Sequence, residues 1–175
     1  MSLSSFPVPV LGFAAFSGSG KTTLLEQVIP LLRDSGIRPA LVKHSHHDFE
    51  MDKPGKDSHR LREAGTGQIL LASPWRTAWI REGDGSTEPV LGELLGHLDT
   101  RALDIVLVEG FRHEPIPKIE IHRPALGTPL LCAEDDRILA LACDERPAQP
   151  VDIPLLDLND PPTIARWIRH WLESA

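Results

Sequence analysis

The stretch FAAFSGSGKTTLLEQVIPLL, residues 13–32, joins an apolar run, a glycine-rich turn and an amphipathic pattern. The apolar run indicates a buried strand, and apolar residues at helical spacing after the turn predict a helix over residues 21–34. Pro30 lies inside that helical pattern, which leaves a kink or an early end of the helix open as alternatives. A strand, a glycine-rich turn and a helix in this order are typical of a loop that binds phosphate.

The glycine-rich turn carries the residue types that phosphate binding needs. Gly18 and Gly20 allow backbone N–H groups to turn toward a phosphate. Lys21 is predicted to place its charge on the β and γ phosphates, and the Thr22 hydroxyl to bind Mg²⁺. The usual pattern G-x-x-x-x-G-K-[ST] has glycine where this chain has Ala15, which leaves the glycines nearest the phosphates in place. The predicted phosphate contacts are Ser17, Gly18, Ser19, Gly20, Lys21, Thr22 and Thr23.

A second segment, LDIVLVEGF at residues 103–111, reads as a buried strand that ends in a carboxylate. In a parallel sheet beside the phosphate-loop strand, Glu109 would reach Mg²⁺ or one of its waters. Gly110 would leave room for a γ-phosphate near its N–H. Asp104 is expected only to open the strand.

The loop HSHHDFEMDKPGK, residues 44–56, follows another predicted strand that ends at Lys43, so it should emerge at the same sheet edge. As a nucleotide switch, Asp48 would hold Mg²⁺ or its water, and Lys43 and Lys53 would meet phosphate or an anionic partner. As a metal site, the histidines within His44–His47 would bind zinc or nickel. We favour the switch, because the histidines lack helical i, i+4 spacing and no cysteine accompanies them.

The segment LALACDERP, residues 139–147, predicts a strand that ends in Cys143 and Asp144. An aspartate after a late strand can read guanine by accepting hydrogen bonds from N1–H and N2–H of the base. The full N/T-K-x-D signature is absent, so an ordinary strand-end aspartate stays open as the alternative.

Composition narrows the function classes. The chain has 175 residues, 41% hydrophobic and 25% charged, as expected of a globular domain, and its net charge of −7 disfavours a general nucleic-acid binder. No apolar run reaches the roughly 18 residues of a membrane span, so no membrane association is expected. A cytoplasmic location is expected instead.

Alternating strands and helices predict an α/β fold of the P-loop NTPase type, with a mostly parallel sheet flanked by helices. Residues 1–175 are expected to form a single nucleotide-binding domain. Two further strands without a crossover helix predict a projecting β element, or insertion, over residues 67–81. The other predicted strands cover residues 8–16, 38–43, 103–109, 117–122 and 137–143, and the predicted helices cover residues 21–34, 57–64, 90–98 and 160–173.

Four segments together resemble the molybdopterin-guanine dinucleotide biosynthesis protein B family. The resemblance runs from about residue 8 to residue 172, and KHSHHDFEMDKPGKDS is its most specific motif. The segments are AFSGSGKTTLLEQVIPLL, IRPALVKHSHHDFEMDKPGKDSHRLREAG, LDIVLVEGFRHEPIPKIE and LLDLND.

The resemblance implies a GTP-binding homodimer with weak GTPase activity, in which residues 67–81 are the candidate dimerisation element. Such proteins act beside the guanylyltransferase that joins GMP to molybdopterin, as adaptors or nucleotide suppliers. Whether molybdopterin itself contacts this chain stays open. The resemblance implies catalytic roles for Lys21, Asp48 and Glu109. It implies that Mg²⁺ is held by Thr22, Asp48 and Glu109, and that GTP is bound by residues 17–23 with Gly110 and Asp144.

Two alternatives from other classes remain. A P-loop small-molecule kinase would need an acceptor pocket and an arginine-rich lid, whereas residues 123–135 contain one arginine. A metallochaperone GTPase would carry nickel on the histidine loop. No glutamine or arginine stands out as a water-orienting or charge-stabilising residue, although Arg112 is conceivable, and slow turnover is therefore expected.

Overall fold

A computed structural model describes residues 3–45 and 49–174 and places six strands in one parallel sheet. The strands are β1 (Val10–Ala14), β2 (Pro39–Lys43), β3 (Gln68–Ser73), β4 (Arg76–Arg81), β5 (Ile105–Glu109), β6 (Lys118–His122), β7 (Ile138–Cys143) and β8 (Leu155–Asp157). The α-helices are α1 (Lys21–Asp34), α2 (Asp57–Glu63), α3 (Leu91–Leu95) and α4 (Pro161–Ser174), and short 3₁₀ turns cover Leu3–Ser5, Thr100–Ala102, Pro124–Leu126 and Leu131–Ala133.

The strand order in the large sheet is β2-β5-β1-β6-β7-β8, and every pair is parallel. The carboxyl ends of parallel strands lie at one edge of the sheet, where ligands of open α/β folds bind. The residues directly after β1, β2, β5, β6 and β7 therefore lie at this edge. The predicted class, a parallel sheet flanked by helices, is confirmed.

Both faces of the sheet are covered, and β5 shows this residue by residue. Ile105 and Leu107 belong to the cluster that includes the apolar residues of α1 and α4, whereas Val106 and Val108 belong to the cluster that includes those of α3. All five residues of β5 are buried. Such a strand appears in sequence as a continuous apolar run, because neither face meets water.

Helix α1 extends to Asp34, so Pro30 does not end it. Leu24, Leu25, Val28 and Leu32 are at most 2% exposed and form the buried stripe that the spacing predicts. Pro30 has no N–H to donate within the helix. Burial of apolar residues on both sides of it keeps the helix folded despite this missing hydrogen bond. The predicted helix over residues 21–34 is therefore confirmed, and of the two effects considered for Pro30 the early end does not occur.

Residues 45–89 form a compact unit of their own, and the remainder of the chain forms another. Within the smaller unit, β3 and β4 form an antiparallel hairpin, as the pattern predicts. The Ser73 hydroxyl accepts hydrogen bonds from the N–H groups of Trp75 and Arg76 at 3.3 and 3.1 Å and closes the turn. This unit is wider than the predicted element at residues 67–81, whose dimerisation role stays a prediction.

Strand β8 and the short extent of α3 were not foreseen. In β8 only Leu156 is buried, and three residues are too few to show a period. Helix α3 ends at Leu95 rather than near residue 98, since Gly96 begins a turn. Cys132 and Cys143 are both free thiols, and burial raises the pKa of Cys132 to about 11. Among the residues described, no helix is long and apolar enough to cross a bilayer.

Arg38 and Asp104 join the amino ends of β2 and β5. The Asp104 carboxylate accepts hydrogen bonds from the Arg38 backbone N–H and guanidinium, each at 2.8 Å. The Asp104 N–H donates in return to the Arg38 carbonyl at 3.0 Å. Asp104 thus does more than open the strand, and the guanidinium hydrogen bonds lower the pKa of its carboxyl to about 2.

We predict that Asp104→Asn lowers the free energy of unfolding at neutral pH, because the ionised partner of Arg38 is lost. A carboxyl whose pKa falls from 3.8 to about 2 on folding stabilises the protein above the unfolded value and loses this contribution as the pH falls. Urea unfolding should therefore show a constant difference from wild type above about pH 5 that shrinks below about pH 4. A difference undiminished in acid would contradict the assignment.

Candidate nucleotide site

The loop between β1 and α1 occupies the carboxyl edge of the sheet. Gly18 and Gly20 have φ angles of 79° and 91°, in the left-handed region that favours glycine. Ser19 is buried, and its hydroxyl donates to the Phe16 carbonyl at 2.8 Å. The loop conformation therefore depends on glycines at the two positions that the sequence pattern singled out.

Helix α1 begins directly after this loop, and its first N–H groups have no carbonyl partner within the helix. Gly20 stands at the N-cap position, where a serine or aspartate side chain would usually satisfy one of them, and it provides no such bond. The helix has 14 residues, so its amino end also carries a partial positive charge. This end of α1 suits a phosphate group.

Lys21 extends back along the loop. Its Nζ donates to the carbonyls of Ala15 and Phe16 at 3.3 and 3.2 Å. Burial lowers the pKa of Lys21, the charge of Glu109 opposes that shift, and the charges of Lys43 and Arg112 add to it. The Lys21 ammonium is therefore partly buried between the anionic Glu109 and the cations Lys43 and Arg112.

Thr22 and Glu109 meet as the sequence predicts. The Thr22 hydroxyl donates to Glu109 Oε1 at 2.7 Å, and the Glu109 side chain is only 8% exposed. Lys43 pairs with Glu109 in the β2–β5 register. Its Nζ lies 3.1 Å from Thr22 Oγ1 and 3.1 Å from Glu109 Oε2. Two oxygens therefore converge on a cation, and both are of the hard type that Mg²⁺ prefers.

The chain turns sharply after Glu109. Gly110 has a φ of 91° and Phe111 a φ of 49°. The Phe111 ring stacks on His44 with centroids 4.7 Å apart, and the His44 N–H donates to the Glu109 carbonyl at 2.9 Å. A Cβ on Gly110 would lie 2.8 Å from the Cβ of His44. His44, the first residue after β2, thus packs directly against Gly110 and Phe111 after β5.

Arg123 and Asp144 directly follow β6 and β7, which lie on the opposite side of β1 from β5. Arg123 Nε donates to the Ser19 carbonyl at 3.1 Å, and Nη1 donates to Asp144 Oδ2. Asp144 Oδ1 is buried and has no hydrogen-bond partner among the residues that the structure describes. The structure therefore places Asp144 beside the phosphate loop, through Arg123.

The predicted site residues fall into three groups: those that lie together, one that is connected through Arg123, and one outside the described residues. Residues 17–23, Glu109 and Gly110 lie together at the carboxyl edge, and Asp144 joins them through Arg123. Asp48, with His46 and His47, lies outside the described residues. Elsewhere, within residues 3–45 and 49–174, no group of three or more His, Cys, Asp or Glu could hold a metal ion.

Sequence reasoning missed two features. Lys43 was expected at a phosphate or an anionic partner, yet it contacts the Thr22–Glu109 pair. Arg123 was considered only as the single arginine of a candidate lid. Its position directly after a strand was the available signal, because strand ends collect at the binding edge.

A central parallel strand that enters a glycine-rich loop and a helix, beside a strand that ends in an acid, defines the P-loop NTPase type of α/β fold. The sequence profile described as molybdopterin guanine dinucleotide synthesis protein B matches residues 10–144. The chain belongs to that family, as the segments quoted from its sequence indicate.

Relatives extend the similarity over nearly the whole chain. The molybdopterin-guanine dinucleotide biosynthesis adapter protein of Escherichia coli K12 is 46% identical over 168 residues, covering 95% of each chain. Its counterpart from Haemophilus influenzae is 46% identical over 166 residues, covering 94% of this chain and 90% of its own. A crystal structure of a MobB protein homologue from Bacillus stearothermophilus shares the fold, with a TM-score of 0.69, 21% identity and coverage of 95% and 99%.

We predict that Gly110→Ala destabilises the protein more than Gly36→Ala does. Both glycines have φ angles near 90°, at 91° and 86°, but a Cβ at Gly36 meets nothing within 4 Å. Each substitution should cost about 1 kcal/mol for the backbone conformation, and Gly110→Ala should cost roughly 1–3 kcal/mol more for the contact with His44. Chemical denaturation of both variants measures the difference, and equal losses would contradict the packing of His44 against Gly110.

Proposed function

We propose that this protein binds GTP with Mg²⁺ and acts in the cytoplasm as an adapter beside the guanylyltransferase of molybdopterin guanine dinucleotide biosynthesis. Family membership and the names of relatives at 46% identity support the adapter role. The observation that carries the nucleotide part is the convergence of Thr22, Glu109 and Lys43 beside a glycine-rich loop.

The proposed phosphate contacts come from the loop and the start of α1. Backbone N–H groups of residues 17–23 would surround the phosphates, supported by the positive end of the helix dipole. Lys21 would exchange its bonds to the carbonyls of Ala15 and Phe16 for phosphate oxygens. The hydrogen bonds from Lys21 Nζ to these two carbonyls are 3.3 and 3.2 Å long, and a charged phosphate oxygen would be a stronger acceptor than either. Gly110, with no side chain, would leave its N–H accessible to the terminal phosphate.

The proposed magnesium ligands are Thr22 and Glu109, with Asp48 as a further contact to the ion or its water. The donor set supports this, because a hydroxyl and a carboxylate oxygen already hold the ammonium of Lys43 at 3.1 Å. Bound Mg²⁺ would supply charge neutralisation at the phosphates. Lys43 would then become available to an anion, such as a phosphate or a partner's acidic group.

We propose that Asp144 contacts the guanine base and that hydrolysis is slow. Arg112 is the arginine nearest in sequence to Glu109, and it lies against Phe16 of the phosphate loop. Its guanidinium lies 5.3 Å from the centroid of the Phe16 ring, and its Nε donates to His113 at 3.0 Å. Apart from Arg112, no arginine or glutamine was identified in the sequence as a charge-stabilising or water-orienting residue, which supports slow hydrolysis. Lys21, Asp48 and Glu109 remain the proposed catalytic residues.

A homodimer is also part of the proposal, with residues 67–81 as the contact. Support comes from apolar side chains left uncovered on the hairpin: Leu70 is 67% exposed and Trp75 is 91% exposed. Exposed apolar residues of this size are common at protein interfaces.

We predict that wild-type protein binds GTP with Mg²⁺ more tightly than ATP, and that Lys21→Ala weakens GTP binding by about tenfold or more. The reason is the loss of an ionic contact to phosphate. Calorimetric titration with each nucleotide, with magnesium and with a chelator, measures both effects. Arg33→Ala is the matched control, because this exposed cation lies at the opposite end of the same helix.

Each result of that titration bears on a different part of the proposal. Equal or tighter binding of ATP would contradict the guanine assignment and favour the kinase alternative. Unchanged GTP binding by Lys21→Ala would contradict the phosphate assignment. Affinity that is indifferent to the chelator would contradict the proposed role of Thr22 and Glu109 in holding Mg²⁺.

We predict that the wild-type protein raises the rate at which a purified guanylyltransferase forms molybdopterin guanine dinucleotide from GTP and molybdopterin. Arg33→Ala should raise it equally, whereas Lys21→Ala should not, because the adapter would arrive without nucleotide. Product formed per unit time is the measurement. A rate that does not respond to the wild-type protein would contradict the adapter role.

A further inference from the structure

Arg123 connects the phosphate loop to Asp144. It is the first residue after β6, and Asp144 is the first residue after β7. Its guanidinium uses two different nitrogens, Nε toward the Ser19 carbonyl at 3.1 Å and Nη1 toward Asp144 Oδ2. The two side chains are 35% and 21% exposed, so both contacts are partly shielded from water. A planar guanidinium that is held at two points has little freedom to rotate.

The contact between Arg123 and the Ser19 carbonyl orients the whole Ser19–Gly20 peptide. The Ser19 C=O and the Gly20 N–H belong to one planar peptide unit and point in opposite directions. Arg123 holds the C=O on its own side, so the Gly20 N–H must point the other way. Gly20 itself has a φ of 91° and could otherwise adopt several orientations at little cost. The Arg123 hydrogen bond therefore selects one orientation of the Ser19–Gly20 peptide.

Asp144 selects the position of Arg123. A salt bridge to a partly buried carboxylate is stronger and more directional than a hydrogen bond to water would be. Asp144 Oδ1 has no partner in the described part of the chain, which leaves the carboxylate oriented chiefly by Arg123. Asp144, Arg123 and Ser19 thus form a chain of contacts that ends in the backbone of the phosphate loop.

We propose that Arg123 is a positioning residue for the phosphate loop and that Asp144 acts through it, so that Asp144 strengthens the binding of polyphosphate without touching it. This inference rests on the proposed function, in which the loop binds the phosphates of a nucleotide. It gives Asp144 a role that does not depend on the base, in addition to any contact with guanine.

The test uses inorganic tripolyphosphate, which has the phosphates of GTP and no base. Removing a carboxylate near an anion site should strengthen anion binding if electrostatics alone acts. Positioning predicts the opposite. Asp144→Ala should weaken tripolyphosphate binding, Arg123→Ala should weaken it by about tenfold or more, and the double variant should be no weaker than Arg123→Ala.

Asp104→Ala is the matched control, because it also removes an aspartate paired with an arginine, at the opposite edge of the sheet. Its tripolyphosphate affinity should equal that of wild type. Arg123→Lys should keep part of the affinity, since an ammonium can hold the Ser19 carbonyl or Asp144 but lacks the planar fork. Tighter or unchanged binding by Asp144→Ala, or additive losses in the double variant, would overturn the proposal.

A second measurement needs no ligand. Amide hydrogen exchange of residues 17–24 in the nucleotide-free protein should be faster in Arg123→Ala and in Asp144→Ala than in wild type, and unchanged in Asp104→Ala. If wild type binds neither GTP nor tripolyphosphate, the proposed function fails, and the exchange rates still decide whether Arg123 and Asp144 hold the loop. Exchange that is unchanged in both variants would overturn the positioning role, whatever the binding data show.

Discussion

Glu109 is an acid at the buried end of a buried strand, and a buried charge must be paired. Its partners come from two other elements: the Thr22 hydroxyl at the start of α1 and the Lys43 ammonium at the end of β2. The adjacent Gly110 makes this possible, because a side chain there would collide with His44. The pairing of one carboxylate thus brings together the three segments that build the candidate magnesium site.

The phosphate loop is held from the other side as well. Arg123 contacts the Ser19 carbonyl and Asp144, while Thr22 in the first turn of α1 contacts Glu109. One contact therefore orients the loop backbone and the other anchors the helix that follows it. A loop held in this way needs little reorganisation when a phosphate binds, which favours affinity.

Buried polar residues of β6 hold part of the segment between β6 and β7, which begins with Arg123. Glu120 is 1% exposed and accepts the N–H groups of Leu131 and Cys132, both at 2.8 Å. Lys118 is 2% exposed and pairs with Asp135 at 2.7 Å. These two buried side chains therefore tie residues 131–135 to β6. Removing one partner would leave an uncompensated charge, which is usually strongly destabilising.

Local pattern determined much of this protein. The loop around Gly18 and Gly20, the helix from Lys21 and the buried strand ending in Glu109 were predictable, because each depends on residue spacing within one segment. Strand β8 escaped, since only Leu156 of its three residues is buried. Tertiary structure alone decided that Lys43 holds Thr22 and Glu109 and that Arg123 joins Ser19 to Asp144. These contacts arise from the order in which parallel strands pair, which brings residues distant in sequence to one sheet edge and leaves no local signal.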